Sequence, residues 1–391
     1  MGGTGRMSPP SPATGRYAGP LHAEAAVPLP PEVTAGTPMG DLLRRAWQPV
    51  YREVDLPPGR AVGLQVLGER WTLFRTASGR PGMVAAACPH RGTALHLGRV
   101  EGERLVCMHH GWSFDDRGAC THRPDGGACA GAGVRAAPVR SHLGLLFAWL
   151  GDGPPAELPR WPAFEEPGTL RVISPERWPC PFGLRVENSL DLAHLPTTHA
   201  ASGVGALAGP PAAPQVRLLA DGLRVEGDAA APVPLRIRCL LPNALCFPTP
   251  IDDAAGWRDH LVWRVPIDRH SCVSFTVTHV PATVPGHEGY AKAEPCDRPL
   301  APSRVARLGA SVLAGEVHLD QLQGEDNLTE VEDYVALCGI LRDDDGRPLE
   351  GERLGPHDGP IRALRARWTA AQRGDARVWA GLPAPEHDGT G

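Results

Sequence analysis

Hydrophobic and polar positions divide the chain into stretches of different character. The first thirty-five residues are rich in Pro, Gly, Ala and Ser and show no apolar period, so residues 1–35 are expected to form a disordered arm. Asp41 to Trp47 (DLLRRAW) then predicts a short amphipathic helix with Asp41 near its start and Arg44-Arg45 on its surface. From Val50 to about Gly151 short apolar stretches recur: AVGLQVL, RWTLFRT, GMVAAAC, RLVCMHHGWSF and LGLLFAWL. Turn-forming runs such as Leu-Pro-Pro-Gly and Asp-Asp-Arg-Gly separate them, a spacing that predicts a small all-β domain. The Pro-rich run GDGPPAELPRWP closes it.

The remainder mixes periods. Leu184 to Leu195 reads as helix, and Ala201 to Pro214 as a low-complexity loop, a lid or a plain connector. Segments near 215–225, 233–246, 260–267 and 271–281 alternate like antiparallel strands, and one helical stretch runs from about Ser303 to Gly339. Strands followed by a long helix predict an α+β domain. The expected division is an all-β domain over 48–152 and an α+β domain over 160–370.

Bulk properties narrow the function classes. A net charge of −5 over 391 residues gives no electrostatic footprint for nucleic acid. No apolar run approaches the ~20 residues of a membrane span, and the first residues lack the apolar core of a secretory signal. Ten cysteines without a regular framework fit a reducing cytoplasm, with most thiols free and a few binding metal.

The first candidate site is C-x-H, sixteen residues, then C-x2-H: Cys88, His90, Cys107 and His110. Each half offers one thiolate and one imidazole from a turn between strands. A [2Fe–2S] centre with Cys on one iron and His on the other requires this set. A structural zinc site is the competing reading, but zinc fingers pair Cys with Cys and His with His. The flanking Pro89, Gly92, Gly111 and Trp112 argue against coincidence.

The second candidate lies in Glu187-Asn-Ser-Leu-Asp191-Leu-Ala-His194-Leu-Pro-Thr-Thr-His199. Asp191 and His194 are one helical turn apart. His194 and His199 would diverge by about 140° on a continuous helix, so they converge only if the helix stops between them, and Pro196 is placed to stop it. Two imidazoles with a carboxylate form the facial triad that activates O2 at iron(II). Taken alone, the segment is equally an exposed helix end with two unrelated histidines.

CPHRG…CMHHGW resembles the cluster domain of the Rieske non-haem iron oxygenases, and TPMGDLLRRAWQPV resembles the entry segment of many of them. The common C-x-Y-H-G-W form has His109 in place of Tyr here, a spare imidazole beside the cluster. N-x2-D-x2-H-x4-H is similar to the family's catalytic iron motif, closest to the branch with O-demethylases and chlorophyll-type oxygenases. The resemblance implies a Rieske domain followed by a helix-grip catalytic domain, an antiparallel sheet with a long C-terminal helix. It implies that His194 and His199 bind a mononuclear Fe(II), that Asn188 lies near it, and that Asp191 links it to a cluster. The third ligand should be an Asp on the C-terminal helix. Of Asp320, Glu325, Asp326, Glu330, Glu332 and Asp333, the string GEDNLTEVE points to Asp326.

By the same resemblance the chain is a terminal oxygenase component. A reductase passes electrons from NAD(P)H, directly or through a ferredoxin, and the chain oxidises an apolar aromatic or polycyclic molecule with O2. A homotrimer is implied, the cluster of one subunit serving the iron of the next. The alternative is a Rieske-type electron carrier without oxygenase activity, or a catalytically dead homologue. His96, His122 and His142 have unremarkable spacing and are expected at the surface or in packing. Cys239, Cys246 and Cys272 on apolar strands are expected to be buried small residues. Trp112, Phe114, Phe147 and Trp149 are expected in the core.

Overall fold

The computed structural model describes residues 32–204, 213–231, 233–291, 301–343, 347–349 and 351–374. Nearly all of the expected arm and most of the 201–214 loop lie outside these residues.

Among the described residues there are seven α-helices: α1 (Pro38–Arg44), α2 (Pro162–Glu165), α3 (Phe182–Leu190), α4 (Leu195–Thr198), α5 (Arg304–Leu313), α6 (Leu328–Cys338) and α7 (Gly359–Gln372). None is long and apolar enough to cross a membrane. The strands form an α+β arrangement of antiparallel sheets. Three small sheets, of three, four and four strands, occupy the chain between Gln48 and Ala148. An eight-stranded sheet follows, ordered Gly168–Val172, Cys272–Pro281, Trp257–Pro266, Ala244–Pro250, Arg236–Leu240, Gly222–Glu226 and Gln215–Leu219, with Glu176–Trp178 also on the Cys272–Pro281 strand.

The apolar stretches of the first half become strands as their alternation predicts. The two four-stranded sheets share a small core of their own, in which Phe74 and Val84 of one and Leu105 and Phe114 of the other cluster with Leu95, Cys88, Cys107 and Trp112. Phe147 and Trp149 are buried too, but in the larger core that runs through both halves. There Trp263 meets Phe147 at 5.2 Å and Trp161 at 5.8 Å, both edge to face, so aromatic contacts join the halves. Backbone bonds from Leu67 and Gly68 to Pro266 and Ile267 reinforce the junction.

Four local expectations are corrected. The first helix begins at Pro38, earlier than Asp41, because Thr37 caps it by accepting from Gly40 N–H and Pro38 fits the first turn. Arg44 is not at its surface. It is buried, ion-paired to Glu69 at 2.6 Å and donating to the carbonyls of Val33, Gly40 and Leu67; Arg45 is the exposed one. The segments 215–225 and 233–246 each hold one whole strand, a tight turn and part of a second strand. The single helix from Ser303 to Gly339 is divided: α5 ends before Gly315, whose φ of +73° suits glycine and stops the helix, and α6 starts only at Leu328.

Candidate metal centres

The two Cys-His loops are near copies of each other. In the first, Cys88 N–H donates to Thr93 O at 2.8 Å and Gly92 N–H to Cys88 O at 2.8 Å. In the second, Cys107 N–H donates to Trp112 O at 2.8 Å and Gly111 N–H to Cys107 O at 3.0 Å. Each turn needs a left-handed residue, and Gly92 (φ +74°) and Gly111 (φ +72°) supply it. The loops bury both thiols and leave both imidazoles exposed. The His90 and His110 rings lie 4.5 Å apart, and the buried Trp112 stacks on His90 at 4.9 Å with the planes 3° apart. Arg123 lies over the Trp112 ring, its Cζ 4.2 Å from the centroid.

This donor set fits an iron–sulfur cluster. Burial, with the neighbouring Cys107 thiol, pushes the Cys88 thiol up to about 11, although the N–H groups of His90 and Arg91 point at it. A thiol so buried resists becoming a thiolate until a cation joins it. His109 lies on the rim, with its Nδ1 3.0 Å from Thr93 Oγ1 and its ring 3.8 Å from that of His110.

The second site is built around α4. Helix α3 ends at Leu190, and Asp191 takes a non-helical ψ of 88°. His194 then opens α4 and His199 closes it. The break therefore falls at Asp191, not at Pro196 as expected. Pro196 sits in the first turn of α4, where a missing N–H costs nothing. One helical turn between them sets both Nε2 atoms facing, 3.1 Å apart.

Helix α6 completes the cluster. Asp333 Oδ1 lies 3.5 Å from His194 Nε2 and 3.3 Å from His199 Nε2. Together these are the metal-competent group found among the described residues. Glu332, the preceding residue, accepts from His199 Nδ1 at 3.0 Å and is itself held by Ser202 Oγ at 2.8 Å and Ser202 N–H at 3.2 Å. His194 Nδ1 donates to the carbonyl of Asp191. With both Nδ1 atoms committed as donors, both Nε2 atoms present lone pairs to one point. Asp333 Oδ1 faces the same point as a buried acceptor without a hydrogen bond. Three converging acceptors repel one another unless a cation lies among them, so the residues fit a metal ion. A proton can stand in for that cation: burial opposes ionisation of Asp333, but imidazoles that carry a proton toward it outweigh burial and hold the carboxylate well below its ordinary range. Burial likewise lowers His199, and Asp333 and Glu332 more than reverse that.

Asp326 is not brought to this site. It lies exposed in the turn before α6, whereas Asp333 is two helical turns further along, on the face that meets α4. Asn188 is half-buried on α3, where its carbonyl accepts from Asp191 N–H at 3.3 Å. The Asp191 carboxylate stays 4.0 Å from His194 Nδ1 and instead accepts from Ala193 N–H at 3.0 Å.

Comparison with known proteins agrees with the first site. Residues 46–138 match the family described as the Rieske [2Fe-2S] domain. This chain carries a Rieske domain. Over 261 residues it is 32% identical to the 5,5'-dehydrodivanillate O-demethylase oxygenase subunit of Sphingobium sp. strain SYK-6, covering 62% of this chain and 59% of that relative. It is 40% identical over 152 residues to the phenoxybenzoate dioxygenase subunit alpha of Ectopseudomonas oleovorans, covering 36% of each chain. The chain thus spans less than two thirds of the length of these relatives. The solved structure of Pseudomonas putida CBB5 NdmA superposes with a TM-score of 0.62 over 90% of this chain and 98% of NdmA, at 20% identity, a likeness of fold.

Of the sequence candidates, the structure brings Cys88 beside Cys107, His90 beside His110 and His194 beside His199. Sequence reasoning overlooked the roles of Asp333, Glu332 and Ser202. The available signal was the string Glu330-Val-Glu332-Asp333: two acids in a row, seven residues after Asp326, on the part of the segment that is helix.

Proposed function

We propose that this protein is the terminal oxygenase of a Rieske non-haem iron system, oxidising an apolar aromatic or polycyclic molecule by hydroxylation, dealkylation or cyclisation. The observation that carries the reading is the convergence of His194, His199 and Asp333 in a chain that also has the Rieske loops. An electron carrier needs only the second of these.

Residues 48–152 would serve electron transfer and 160–370 the oxidation. Cys88 and Cys107 would hold one iron of the cluster, and His90 and His110 the other. His194, His199 and Asp333 would hold the mononuclear iron. Once bound, the cluster supplies single electrons and the iron(II) supplies O2 activation, with coordination positions left open by three protein donors. Glu332 keeps the His199 ring oriented by accepting its Nδ1 proton, and Ser202 keeps Glu332 oriented. The Asp191 carbonyl does the same for His194. These contacts fix the tautomer that leaves each Nε2 free for metal.

The exposed edges of His90 and His110 are where electrons would enter, from NAD(P)H through a reductase, directly or through a ferredoxin. They also support a homotrimer, in which this edge meets Asp191 and His194 of the next subunit in a ring-closing contact. All nine described cysteines are free, which supports a reducing compartment, the cytoplasm.

Iron analysis tests the reading. An oxygenase should bind about three irons per chain and a carrier about two. The purified protein, supplied with a reductase and NADH, should consume O2 in response to a substrate. Two irons per chain and no such consumption across a panel of aromatic compounds would leave the carrier as the answer.

A further inference from the structure

Cys120 and Cys129 belong to neither metal centre, and both are half-buried, so small reagents can reach them. Cys120 begins the strand Cys120–His122 and packs with Ala132 and Val134 against the small core of the cluster domain. Cys129 lies in the loop that follows. Backbone bonds fold that loop back on itself. Val134 N–H donates to Gly118 O at 2.8 Å, Ala132 N–H to Cys129 O at 3.0 Å and Gly126 N–H to Arg123 O at 3.1 Å. The two thiols meet across the neck of the loop, within hydrogen-bond reach of each other.

Between them the loop carries Arg123. Its Nη1 donates to Ala128 O at 2.8 Å, and its Nε and Nη2 donate to Asp125 at 3.2 Å and 2.9 Å. Gly127 makes room for the guanidinium, since a Cβ there would lie 2.3 Å from Arg123 Cζ. The same guanidinium lies over Trp112, which stacks on His90. A loop with a thiol at each end thus lays a cation on the aromatic ring beside a cluster ligand.

We infer that Cys120 and Cys129 are a reversible oxidation site, at which a peroxide forms a disulfide that ties the ends of the loop and holds Arg123 over Trp112. This needs the Rieske domain alone and is independent of the oxygenase reading. Burial, with the Cys129 thiol beside it, pushes the Cys120 thiol up to about 11, so Cys120 keeps its proton and Cys129 attacks first. The Cys129 thiolate takes one oxygen from hydrogen peroxide, giving a sulfenic acid and hydroxide. The Cys120 sulfur then attacks the Cys129 sulfur, and the sulfenic oxygen leaves as water with the Cys120 proton. In sum, two thiols lose two electrons and two protons, and the peroxide is reduced to two waters.

Peptide mapping of the full-length holoprotein tests this. The protein is treated with a few equivalents of hydrogen peroxide, and the remaining thiols are blocked with N-ethylmaleimide. The peptides of Cys120 and Cys129 should be recovered joined, two hydrogens lighter, and dithiothreitol should separate them. In the joined form, amide hydrogen exchange over residues 123–129 should slow by about tenfold. Cys120→Ser should leave a sulfenic acid at Cys129 that dimedone traps, whereas Cys129→Ser should leave Cys120 unmodified at the same peroxide concentration. Full alkylation of both thiols after peroxide, or joining of either chiefly to another cysteine, would overturn the site. A joined pair with unchanged exchange would overturn the hold on Arg123. Dimedone trapping at Cys120 in Cys129→Ser would overturn the order of attack.

Discussion

The loops Cys88–Gly92 and Cys107–Gly111 each complete their geometry within a few residues, whereas His194, His199 and Asp333 meet only because α6 packs against α4. The first pair is held by backbone bonds inside each turn. The second site is held by side chains, and the His199–Glu332 contact closes 133 residues of chain. Exposure differs as well: His90 and His110 are open to solvent, while His199 is 1% exposed. An electron port needs an edge that a partner can approach, and an O2-activating site needs oriented ligands shielded from water. On the proposed reading, the same residue type, histidine, would serve two purposes through opposite surroundings.

That contrast can be broken most severely at the loops. Cys107→Ser should abolish the Rieske electron paramagnetic resonance signal and all turnover, because a buried hydroxyl cannot replace a thiolate on iron. A signal of wild-type shape and intensity in this variant would show that the cluster is held elsewhere. Next in size is His199→Ala. We expect it to lose the mononuclear iron and turnover while the Rieske signal stays intact, since nothing in the loops depends on α4.

Glu332→Gln probes the side-chain support that the loops lack. The variant still reaches His199 but no longer as an anion, so the iron affinity of the mononuclear site should fall by about 10–100-fold. Competition with a chelator would measure it, and an unchanged affinity would mean that Glu332 only fills space. The smallest effect on metal is expected for Asp191→Ala. The carbonyl that holds His194 Nδ1 survives the substitution, so iron should be retained. Turnover should nonetheless drop to a small fraction of wild type if the carboxylate carries electrons between subunits. Cluster reoxidation in a single turnover at the wild-type rate would remove that role.

What was legible in the sequence follows the same line. The Cys-His loops could be read because the ligands and the turn glycine of each are within a few positions, as Cys88, His90 and Gly92 illustrate. His194 and His199 could be paired, yet the reason given for their convergence was misplaced: Pro196 looks like a helix stop, but the chain had already left the helix at Asp191. The third ligand was harder. Asp326 and Asp333 differ by two turns, and only the start of α6 at Leu328 and its packing on α4 decide between them.

The central claim is that Asp333 completes a mononuclear site independent of the Rieske cluster. Iron per chain, measured alongside the reduced Rieske signal in Asp333→Ala and Asp326→Ala, tests it directly. We expect Asp333→Ala to fall from about three irons to about two with the signal unchanged, and Asp326→Ala to match the wild type in both. Retention of the third iron in Asp333→Ala, or its loss in Asp326→Ala, would contradict the account.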